Sequence, residues 1–547
     1  MNAPIAYFCT EYATEDDLPI YAGGLGILAG DLVRQAGEMN LPWVAIGLLY
    51  QRGFDVPAYS AHVRPPLNPR LSGFELLTGP MGETVTIPIE IYERSVYARV
   101  WHKQYRSAHL YLLDTNTDHN STADRLIAEF LYDERFETRL LQEVVLGIGG
   151  VKLLRHLRIN PTIYHLNEGH TSFAILALTL EYLHDHPEVK TFTGALLAVR
   201  EKIVATKHTI LPSAGLYFTS EQFKRVISCY FEKHHANFDE FFSLGTDSDP
   251  IVFSATKFLL AGSIRSSAVS KLHAFFEKER HPHSPLVPIT NGVYAPRWLG
   301  GRWPKNPTQL ADAELWNVHT HVRRDLLQYV EEKTGARLDP EALTIVWARR
   351  FATYKRPGLL FSDMNRLRRI VQNSQHPVQC IIAGQAHPSD REGKELIERI
   401  IAYAKSEQFK GKIVYVPKYS LRGARLLTAG ADIWLNTPER GKEACGTSGM
   451  KSALNGGLQF SVLDGWIGEV DWTDKGWILP EINTAEMLYA IIENEIVPTF
   501  YTRDAAGIPR GWVSRMRATM VVAHQRYTLS RTITEYFEKL YAPANYE

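Results

Sequence analysis

The chain is poor in cysteine and has no excess of charge of either sign. Its four cysteines, Cys9, Cys229, Cys380 and Cys445, lie far apart among 547 residues and form no C-x-x-C pair. This usage excludes a disulfide scaffold and a zinc module, and it is typical of a reduced, cytoplasmic protein. Sixty Lys and Arg residues balance sixty Asp and Glu residues, so the chain has no basic excess to hold nucleic acid.

Long hydrophobic runs are also missing. No run is long enough to span a bilayer, and residues 1–4 lack the basic start of a signal peptide. Hydrophobic residues make up 45% of the chain and charged residues 22%, which is the balance of a globular protein. The length is enough for two or three domains. We therefore predict a cytoplasmic α/β enzyme with neither a membrane nor a nucleic-acid partner.

The first half of the chain alternates short apolar runs with amphipathic segments. Residues 4–9, 43–50 and 162–166 are predicted as buried strands because they are almost continuously apolar. The segment 72–114 alternates Val, Ile and Tyr with polar residues, which indicates hairpins inserted into a larger domain. Long helices are predicted within 123–157.

The second half of the chain predicts a parallel, doubly wound sheet. Five apolar runs are predicted strands, at 343–348, 378–383, 412–416, 432–435 and 458–462. The segments between them have helical periodicity, at 357–372, 392–406, 420–429 and 446–454. Strand and helix alternate here at the spacing of βαβ units.

A stretch at 280–288, rich in Pro and His and without clear periodicity, predicts the domain boundary. We expect an N-terminal Rossmann-like domain with inserted hairpins at 1–285 and a C-terminal Rossmann-like domain at 286–500. The helices at 501–547 are expected to return to the N-terminal domain. The predicted fold class is α/β, with two Rossmann-like domains facing a central cleft.

The glycine-rich residues 21–30 contain the pattern G-x-G-x-x-A. This is a variant of the dinucleotide fingerprint, but 13 residues separate it from the first strand. No Asp or Glu closes the strand at 43–50 to bind a ribose hydroxyl. Glycine is still needed where the backbone approaches a phosphate or sugar closely. This segment is therefore a candidate ligand loop, and an ordinary tight turn is the alternative.

Four cations, Arg349, Arg350, Lys355 and Arg356, follow directly on the predicted strand at 343–348. Open α/β sheets bind ligands at the carboxyl ends of their strands. Grouped cations repel one another unless they share an anion, and an arginine fork with a lysine point charge suits phosphate. The cluster predicts a phosphate site, and a solvated basic turn is the alternative.

A Gly-Thr-Ser-Gly run at 446–449 opens the last predicted helix. Backbone N–H groups and hydroxyls at such a start can bind an anion. Lys451 follows in a segment with few other polar residues, so we predict a partly buried lysine beside this anion. That combination indicates a Schiff base with pyridoxal phosphate, and a solvent-facing helix lysine is the alternative.

With these motifs in order, the chain resembles the α-glucan (glycogen, starch and maltodextrin) phosphorylases, particularly their shorter bacterial and archaeal branch. The resemblance runs from Ile5 to about Trp466. The matching blocks are Gly23-Gly24-Leu25-Gly26, residues 164–170, Lys207-His208-Thr209, Thr290-Asn291-Gly292-Val293, residues 350–356 and residues 443–456. The resemblance implies a GT-B type glycosyltransferase fold, in which 1–285 is the glucan and phosphate side and 286–500 binds the cofactor.

The resemblance implies pyridoxal 5'-phosphate as the cofactor, held as an aldimine by Lys451. The other cofactor contacts that match are Thr447, Ser448, Arg349 and Lys355, with Trp298 and Tyr419 around the ring. The substrate contacts that match are Gly24, Leu25, Arg350 and Lys355, with His208, Asn291, Glu443, Cys445 and Gly446 at the glucosyl unit. Lys355, Arg350, His208 and Glu443 take the catalytic positions.

The implied reaction transfers a glucosyl unit from the non-reducing end of an α-1,4-glucan or maltodextrin to inorganic phosphate. The product is glucose 1-phosphate, with retention of configuration. In the implied mechanism the cofactor phosphate exchanges a proton with substrate phosphate, which protonates the departing glycosidic oxygen. Homodimers are common in the family. The sequence lacks the amino-terminal extension that carries regulation in the long animal enzymes, so we expect that type of allosteric control to be absent.

Two residues depart from the family pattern. Cys445 stands where serine is more usual, and Ala352 replaces a histidine common in the larger enzymes. The histidines give no metal signal, because no H-x-x-x-H or H-E-x-x-H spacing places two of them on one helical face. We therefore predict no metal.

Two other functions remain open. A nucleotide-sugar glucosyltransferase of the glycogen-synthase type shares the fold, but such enzymes carry a second glutamate eight residues after the first. Here Lys451 stands eight residues after Glu443. The other alternative is a non-catalytic glucan-binding relative, for which loss of Lys451, Arg350 or His208 would be expected, and all three are present.

Overall fold

A computed structural model of the chain describes residues 4–53, 66–210, 216–246, 251–282, 284, 286–387 and 390–542. Two residues of the predicted linker, His283 and Pro285, lie outside this part. Backbone contacts divide the chain into two compact units. The N-terminal unit takes in Met1–Val269, Ala274–Ile289 and Ile533–Glu547, and the C-terminal unit takes in Ser270–His273 and Thr290–Thr532.

The N-terminal unit is built on a mixed sheet. Its strands are β1 Ile5–Phe8, β2 Trp43–Leu48, β3 Glu75–Leu76, β4 Thr86–Ile91, β5 Arg94–Tyr105, β6 Ala108–Asp114, β7 Ile163–Asn167, β8 Ile203–Lys207, β9 Tyr217–Thr219, β10 Val252–Ser254, β11 Arg265–Ala268 and β12 Leu286–Pro288. Within the described residues, β12-β11-β8-β7-β1-β2-β6 are parallel neighbours in that order. The antiparallel β5 extends this sheet and pairs with β3 and β4, and β9 pairs separately with β10. Every residue of β1 and β2 is buried, as expected for central parallel strands covered on both faces.

The helices of this unit lie between its strands along the chain. They are α1 Gly24–Glu38, α2 Thr122–Arg125, α3 Phe136–Val144, α4 Gly150–His156, α5 Phe173–Asp185, α6 Phe192–Val199, α7 Ser220–Lys233, α8 Phe238–Ser243 and α9 Ala255–Ala261. The prediction of long helices within 123–157 is wrong at its start, where α2 has only four residues. The chain turns before α3 because Asp133 Oδ1 accepts the Arg135 N–H over 2.9 Å.

The C-terminal unit is built on a sheet of six parallel strands within the described residues. They are β13 Leu343–Ala348, β14 Val378–Ala383, β15 Ile413–Val416, β16 Ile433–Asn436, β17 Leu458–Val462 and β18 Gly476–Leu479. Their order, β15-β14-β13-β16-β17-β18, is the 3-2-1-4-5-6 order of a doubly wound sheet. The five predicted strands are present. The sequence does not predict β18, because it begins with Gly476 and has only three apolar residues in a row, Trp477–Leu479.

Apolar clusters cover both faces of this sheet. Alternate residues of β13 point to different clusters: Ile345 and Trp347 join one, and Val346 and Ala348 join the other. This two-sided burial explains why β13 is continuously apolar in sequence. The helices that cover the sheet or connect its strands are α11 Ala295–Trp298, α12 Asp312–Thr334, α13 Met364–Val371, α14 Arg391–Lys405, α15 Leu421–Gly430, α16 Thr447–Leu454, α17 Thr484–Ile491, α18 Val497–Tyr501 and α19 Arg510–Arg526.

One predicted helix is shorter than expected. The helical periodicity at 357–372 predicts one continuous helix, but α13 begins only at Met364. The Asp363 carboxylate accepts the Arg366 N–H over 2.9 Å and so caps the helix at this point. The residues before the cap form a short turn at Leu359–Phe361.

The chain passes from the N-terminal to the C-terminal unit between Ile289 and Thr290 and returns within α20 Leu529–Glu535; before that, Ser270–His273, at the start of α10 Lys271–Arg280, also group with the C-terminal unit. Residues 501–532 belong to the C-terminal unit, so the prediction that all of 501–547 returns to the N-terminal domain is wrong for them. The reason is that α19 buries apolar side chains, among them Trp512 and Met516, in the cluster on one face of the C-terminal sheet. Only the residues from Ile533 onward join the N-terminal unit.

Candidate active site

The glycine loop follows β1 and leads into α1, which begins at Gly24. A buried carboxylate from the same region organises it. Glu11 Oε2 accepts the N–H groups of Ala22 over 2.5 Å and Gly23 over 3.3 Å, and Glu11 Oε1 accepts the Tyr132 hydroxyl over 2.8 Å. The Glu11 side chain therefore holds the loop backbone at Ala22 and Gly23, directly before α1.

The glycines of this loop differ in how much space surrounds them. A Cβ at Gly26 would lie 2.8 Å from Glu11 Oε2, and a Cβ at Gly30 would lie 2.4 Å from the Ala13 carbonyl oxygen. By contrast, a Cβ at Gly23 or Gly24 would meet no heavy atom within 4 Å. Gly26 and Gly30 are thus required for packing, whereas Gly23 and Gly24 lie where a ligand could approach the backbone.

His208 lies just after β8, at the carboxyl edge of the N-terminal sheet. Its N–H donates to the Glu168 carboxylate, and its Nε2 lies 3.0 Å from Asn167 Oδ1. Asn167 Oδ1 also accepts the Tyr7 hydroxyl over 3.1 Å. Both the backbone and the ring of His208 are therefore held by residues at the end of β7.

In the C-terminal unit, Glu443 lies between two of the predicted cations. Its Oε2 accepts from Arg349 Nη2 over 2.9 Å and from Lys355 Nζ over 2.8 Å, and all three side chains are buried. Burial alone would raise the pKa of Glu443, but the adjacent cations lower it to about 2. The carboxylate is therefore ionised and shared by both cations.

The basic cluster divides into inward and outward members. Arg350 is exposed, in contrast to its buried neighbours in the ion pair with Glu443. Arg356 donates to the backbone carbonyls of Thr437 and Pro438, over 2.8 and 3.0 Å, and so anchors the loop after β13. Only part of the cluster can therefore bind an anion, and Arg356 has a structural role.

Lys451 lies inside α16, which begins after Gly446 with its φ of +86°. Its side chain is buried, and its Nζ lies 3.7 Å from the centroid of the Trp298 ring. Asn455 joins the two segments, because its Nδ2 donates to the carbonyls of Trp298 and Lys451 over 2.8 Å each and its Oδ1 accepts the Gly300 N–H over 2.7 Å. The structure thus brings Lys451 and Trp298 together.

Cys445 and Asn291 also come together. The Asn291 N–H donates to the Cys445 thiol, and burial is the main cause of a raised pKa for this thiol. Asn291 is 4% exposed, and its Oδ1 has no hydrogen-bond partner among the described residues. A buried acceptor without a donor is rare, so this oxygen is suited to accept a ligand hydroxyl.

The remaining predicted site residues are only partly buried. Thr447 and Ser448 lie at the start of α16, and Leu25 lies in the first turn of α1. Tyr419 follows β15 and packs against the smaller apolar cluster of the C-terminal sheet. The contacts of these four residues with cofactor or substrate stay predictions.

Sequence reasoning missed the residues that support the site. Asp464 follows β17, and its carboxylate accepts the N–H groups of Lys442, Glu443 and Gly465 over 2.9–3.2 Å. Burial raises the pKa of Asp464 to about 6. Asp464 fixes the loop that carries Glu443, as Asn455 fixes the contact of Trp298 with Lys451. The available signal for Asp464 was an acidic residue two positions after the end of the apolar strand β17.

The buried histidines serve as hydrogen-bond partners. His165 contacts the Tyr541 hydroxyl over 2.7 Å and Thr206 Oγ1 over 2.6 Å, and His319 Nε2 lies 2.7 Å from Asp432 Oδ1.

Among the described residues, no group of three or more His, Cys, Asp or Glu side chains could hold a metal ion. In the same part of the chain, no helix has both the length and the apolar character needed to cross a membrane.

Known proteins resemble this chain over nearly its whole length. The family model described as carbohydrate phosphorylase matches residues 305–472. The maltodextrin phosphorylase of Thermococcus litoralis is 36% identical over 99% of this chain and 71% of that protein. The glycogen phosphorylase of Mycobacterium bovis is 33% identical over 99% of this chain and 71% of that protein. The glycogen phosphorylase of Aquifex aeolicus is 32% identical over 98% of this chain and 86% of that protein.

Proposed function

This chain belongs to the carbohydrate phosphorylase family, and we infer that it is an α-glucan phosphorylase. It transfers a glucosyl unit from the non-reducing end of an α-1,4-glucan to inorganic phosphate and gives glucose 1-phosphate. The observation that carries this conclusion is the buried Lys451, whose side chain packs on the ring of Trp298. Lys451 stands eight residues after Glu443, which is ion-paired with Arg349 and Lys355.

The side chains of the C-terminal unit fit pyridoxal phosphate, the cofactor that this family generally uses. Lys451 would hold the cofactor, and its contact with the Trp298 indole supports Trp298 as a neighbouring residue of that site. Arg349 and Lys355 supply two buried cations for its phosphate, and the N–H groups and hydroxyls at the start of α16 are further donors. When bound, the cofactor supplies a phosphate group that exchanges a proton with substrate phosphate.

We assign the glucosyl contacts of this unit to Glu443, Asn291, Cys445 and Gly446. The low pKa of Glu443 keeps it an acceptor for sugar hydroxyls at every working pH. The unpartnered Asn291 Oδ1 accepts another hydroxyl. The hydrogen bond from the Asn291 N–H to Cys445 supports the thiol as a weak donor to a neighbouring hydroxyl.

We assign the substrate phosphate to Arg350, Lys355 and Gly24. Two phosphates brought into contact repel each other, and the Arg350 and Lys355 cations offset this repulsion. Gly24, with open space around its Cα, lets the backbone N–H groups at the start of α1 approach an anion. His208 and Leu25 are the other residues of the N-terminal unit that we assign to the substrate.

One assay tests the assignment. Maltodextrin and inorganic phosphate incubated with the purified protein should yield glucose 1-phosphate, and the protein should show the absorption of bound pyridoxal phosphate. Lys451→Ala is the matched control, and it should lose both the absorption and the activity. Release of free glucose by water, or transfer from a nucleotide-glucose without phosphate, would contradict the assignment.

The alternative functions lack support. A lysine stands where a glycogen-synthase-like enzyme carries its second glutamate, and the residues expected to be lost in a non-catalytic relative are present. A cytoplasmic location and a homodimer stay predictions.

A further inference from the structure

Glu168 has a backbone conformation that residues other than glycine rarely adopt. Its φ is +62° and its ψ is 169°, a region of backbone space almost confined to glycine. Local hydrogen bonds hold it there. Its N–H donates to the Thr206 carbonyl over 3.0 Å, and its carbonyl accepts the Thr171 N–H over 3.2 Å and the Thr171 hydroxyl over 2.9 Å. The function proposed above does not use Glu168, so the strain needs another explanation.

The Glu168 carboxylate shows what the conformation achieves. The residue is 6% exposed, and its carboxylate accepts the His208 N–H, with the Thr209 side chain as a further donor. Glu168 follows β7 and His208 follows β8, and these strands are parallel neighbours. A glycine at position 168 would adopt the same backbone without strain, but it would have no group to bind the His208 N–H.

The ring of His208 is held by Asn167, the residue before Glu168. Asn167 Nδ2 donates to the Phe8 carbonyl over 2.9 Å, which leaves Oδ1 as the acceptor facing His208 Nε2. His208 therefore carries its proton on Nε2. Two consecutive residues at the end of β7 thus fix His208, one through its ring and the other through its backbone.

We propose that Glu168 is a positioning residue for His208 and that its strained backbone serves to aim the carboxylate at the His208 N–H. The inference rests on the proposed function, in which His208 binds the transferred glucosyl unit. Glu168 acts through His208.

Three substitutions separate the strain from the positioning. Glu168→Gln keeps both the strain and an acceptor oxygen, Glu168→Ala keeps the strain and loses the acceptor, and Glu168→Gly loses both. We expect kcat/KM for phosphorolysis to stay within about fivefold of wild type in the Gln variant. It should fall by about 100-fold in the Ala and Gly variants, which leave His208 misplaced. The melting temperature should be higher for Gly than for Ala, because only glycine adopts this backbone freely.

A purely structural role predicts a different pattern. Activity would then follow the melting temperature, and the Gly variant would be more active than the Ala variant. A Gly variant with wild-type turnover would overturn the inference. Circular dichroism of each variant establishes that the comparison is between folded proteins.

A double-mutant cycle tests whether Glu168 acts through His208. In a His208→Ala background, Glu168→Ala should cost less than about threefold in further activity, because the two changes remove one function. If the fold losses of activity from the two single substitutions multiply in the double mutant, the inference is overturned. An inactive wild-type protein would refute the proposed function and this role with it, whereas an active wild type with an active Gly variant would refute the role of Glu168 alone.

Discussion

Glu443 is the residue on which the charge balance of the C-terminal site depends. Arg349 and Lys355 both donate to the same carboxylate oxygen, and all three groups are buried. A buried charge is tolerated only when it is paired, because its hydration is lost. Removing the carboxylate therefore affects both cations that we assign to phosphate binding.

Glu443→Gln should lower turnover strongly and keep the cofactor bound. The amide retains the shape but leaves two buried cations without a counter-charge, which should cost about 3–5 kcal/mol of unfolding free energy. The lost contact to the glucosyl unit should cost on the order of 2–4 kcal/mol in the transition state. Steady-state kinetics, cofactor absorbance and denaturant unfolding measure the three effects. A variant with wild-type kinetics would show that the carboxylate is only structural.

The free energy of unfolding should also depend on pH, because Glu443 is ionised in these ion pairs. The pKa of Glu443 falls from an ordinary value of 4.5 to about 2 in the folded protein. Its stabilisation is therefore complete above the ordinary value and is lost as the pH falls toward 2. Denaturant unfolding of wild type and Glu443→Gln should show a difference that is constant near neutral pH and shrinks in acid. A difference that grows in acid would contradict the ion pair.

Cys445→Ser tests the departure from the family pattern. Serine can still accept the Asn291 N–H that now donates to the thiol, and it offers a stronger donor to a sugar hydroxyl. We expect turnover equal to or above wild type, and lower turnover in the control Cys445→Ala. A severe loss in the serine variant would show that the thiol is adapted to a different sugar or geometry.

Among the structural elements, the loop into α1 permits a matched pair of substitutions. Gly26→Ala places a Cβ 2.8 Å from Glu11 Oε2 and 2.6 Å from Tyr21 Cβ, so the loop must shift, at about 1–3 kcal/mol of stability. Gly24→Ala meets nothing within 4 Å, so stability should be kept. Because we assign Gly24 to the substrate phosphate, KM for phosphate should rise in Gly24→Ala, whose Cβ would oppose the approach of the anion. Unchanged phosphate kinetics in a stable Gly24→Ala protein would remove this loop from the site.

The elements also show how far sequence reasoning reaches. The strands β13, β14 and β17 match their predicted bounds because burial on both faces leaves a continuous apolar run. The motif residues Lys451 and Glu443 could be found because their chemistry is encoded in short segments. The carboxylates that hold the N-terminal segments could not be found in this way, because Glu11 and Glu168 bind backbone N–H groups of Ala22 and His208, and every sequence supplies such groups. The backbone strain at Glu168 likewise has no sequence signal.

For the molecule as a whole, the division into two units separates the assigned roles. The residues that we assign to pyridoxal phosphate all belong to the C-terminal unit, which has its own sheet and apolar clusters. Gly24 and His208 belong to the N-terminal unit. Cofactor binding should therefore stabilise one unit directly, and the substrate contacts of the other should form without it.

Hydrogen exchange can test this separation in the full chain. A ligand that binds only the folded state adds RT ln(1 + [L]/Kd) to its stability, about 2.7 kcal/mol at 100 Kd. We expect pyridoxal phosphate to slow amide exchange in α11 and α16, which carry Trp298 and Lys451, and to leave exchange in β1 and β2 unchanged. The control Lys451→Ala should show little protection at the same cofactor concentration. Equal protection of β1 and β2 would mean that the N-terminal unit also holds the cofactor, and the assignment of roles to units would have to be abandoned.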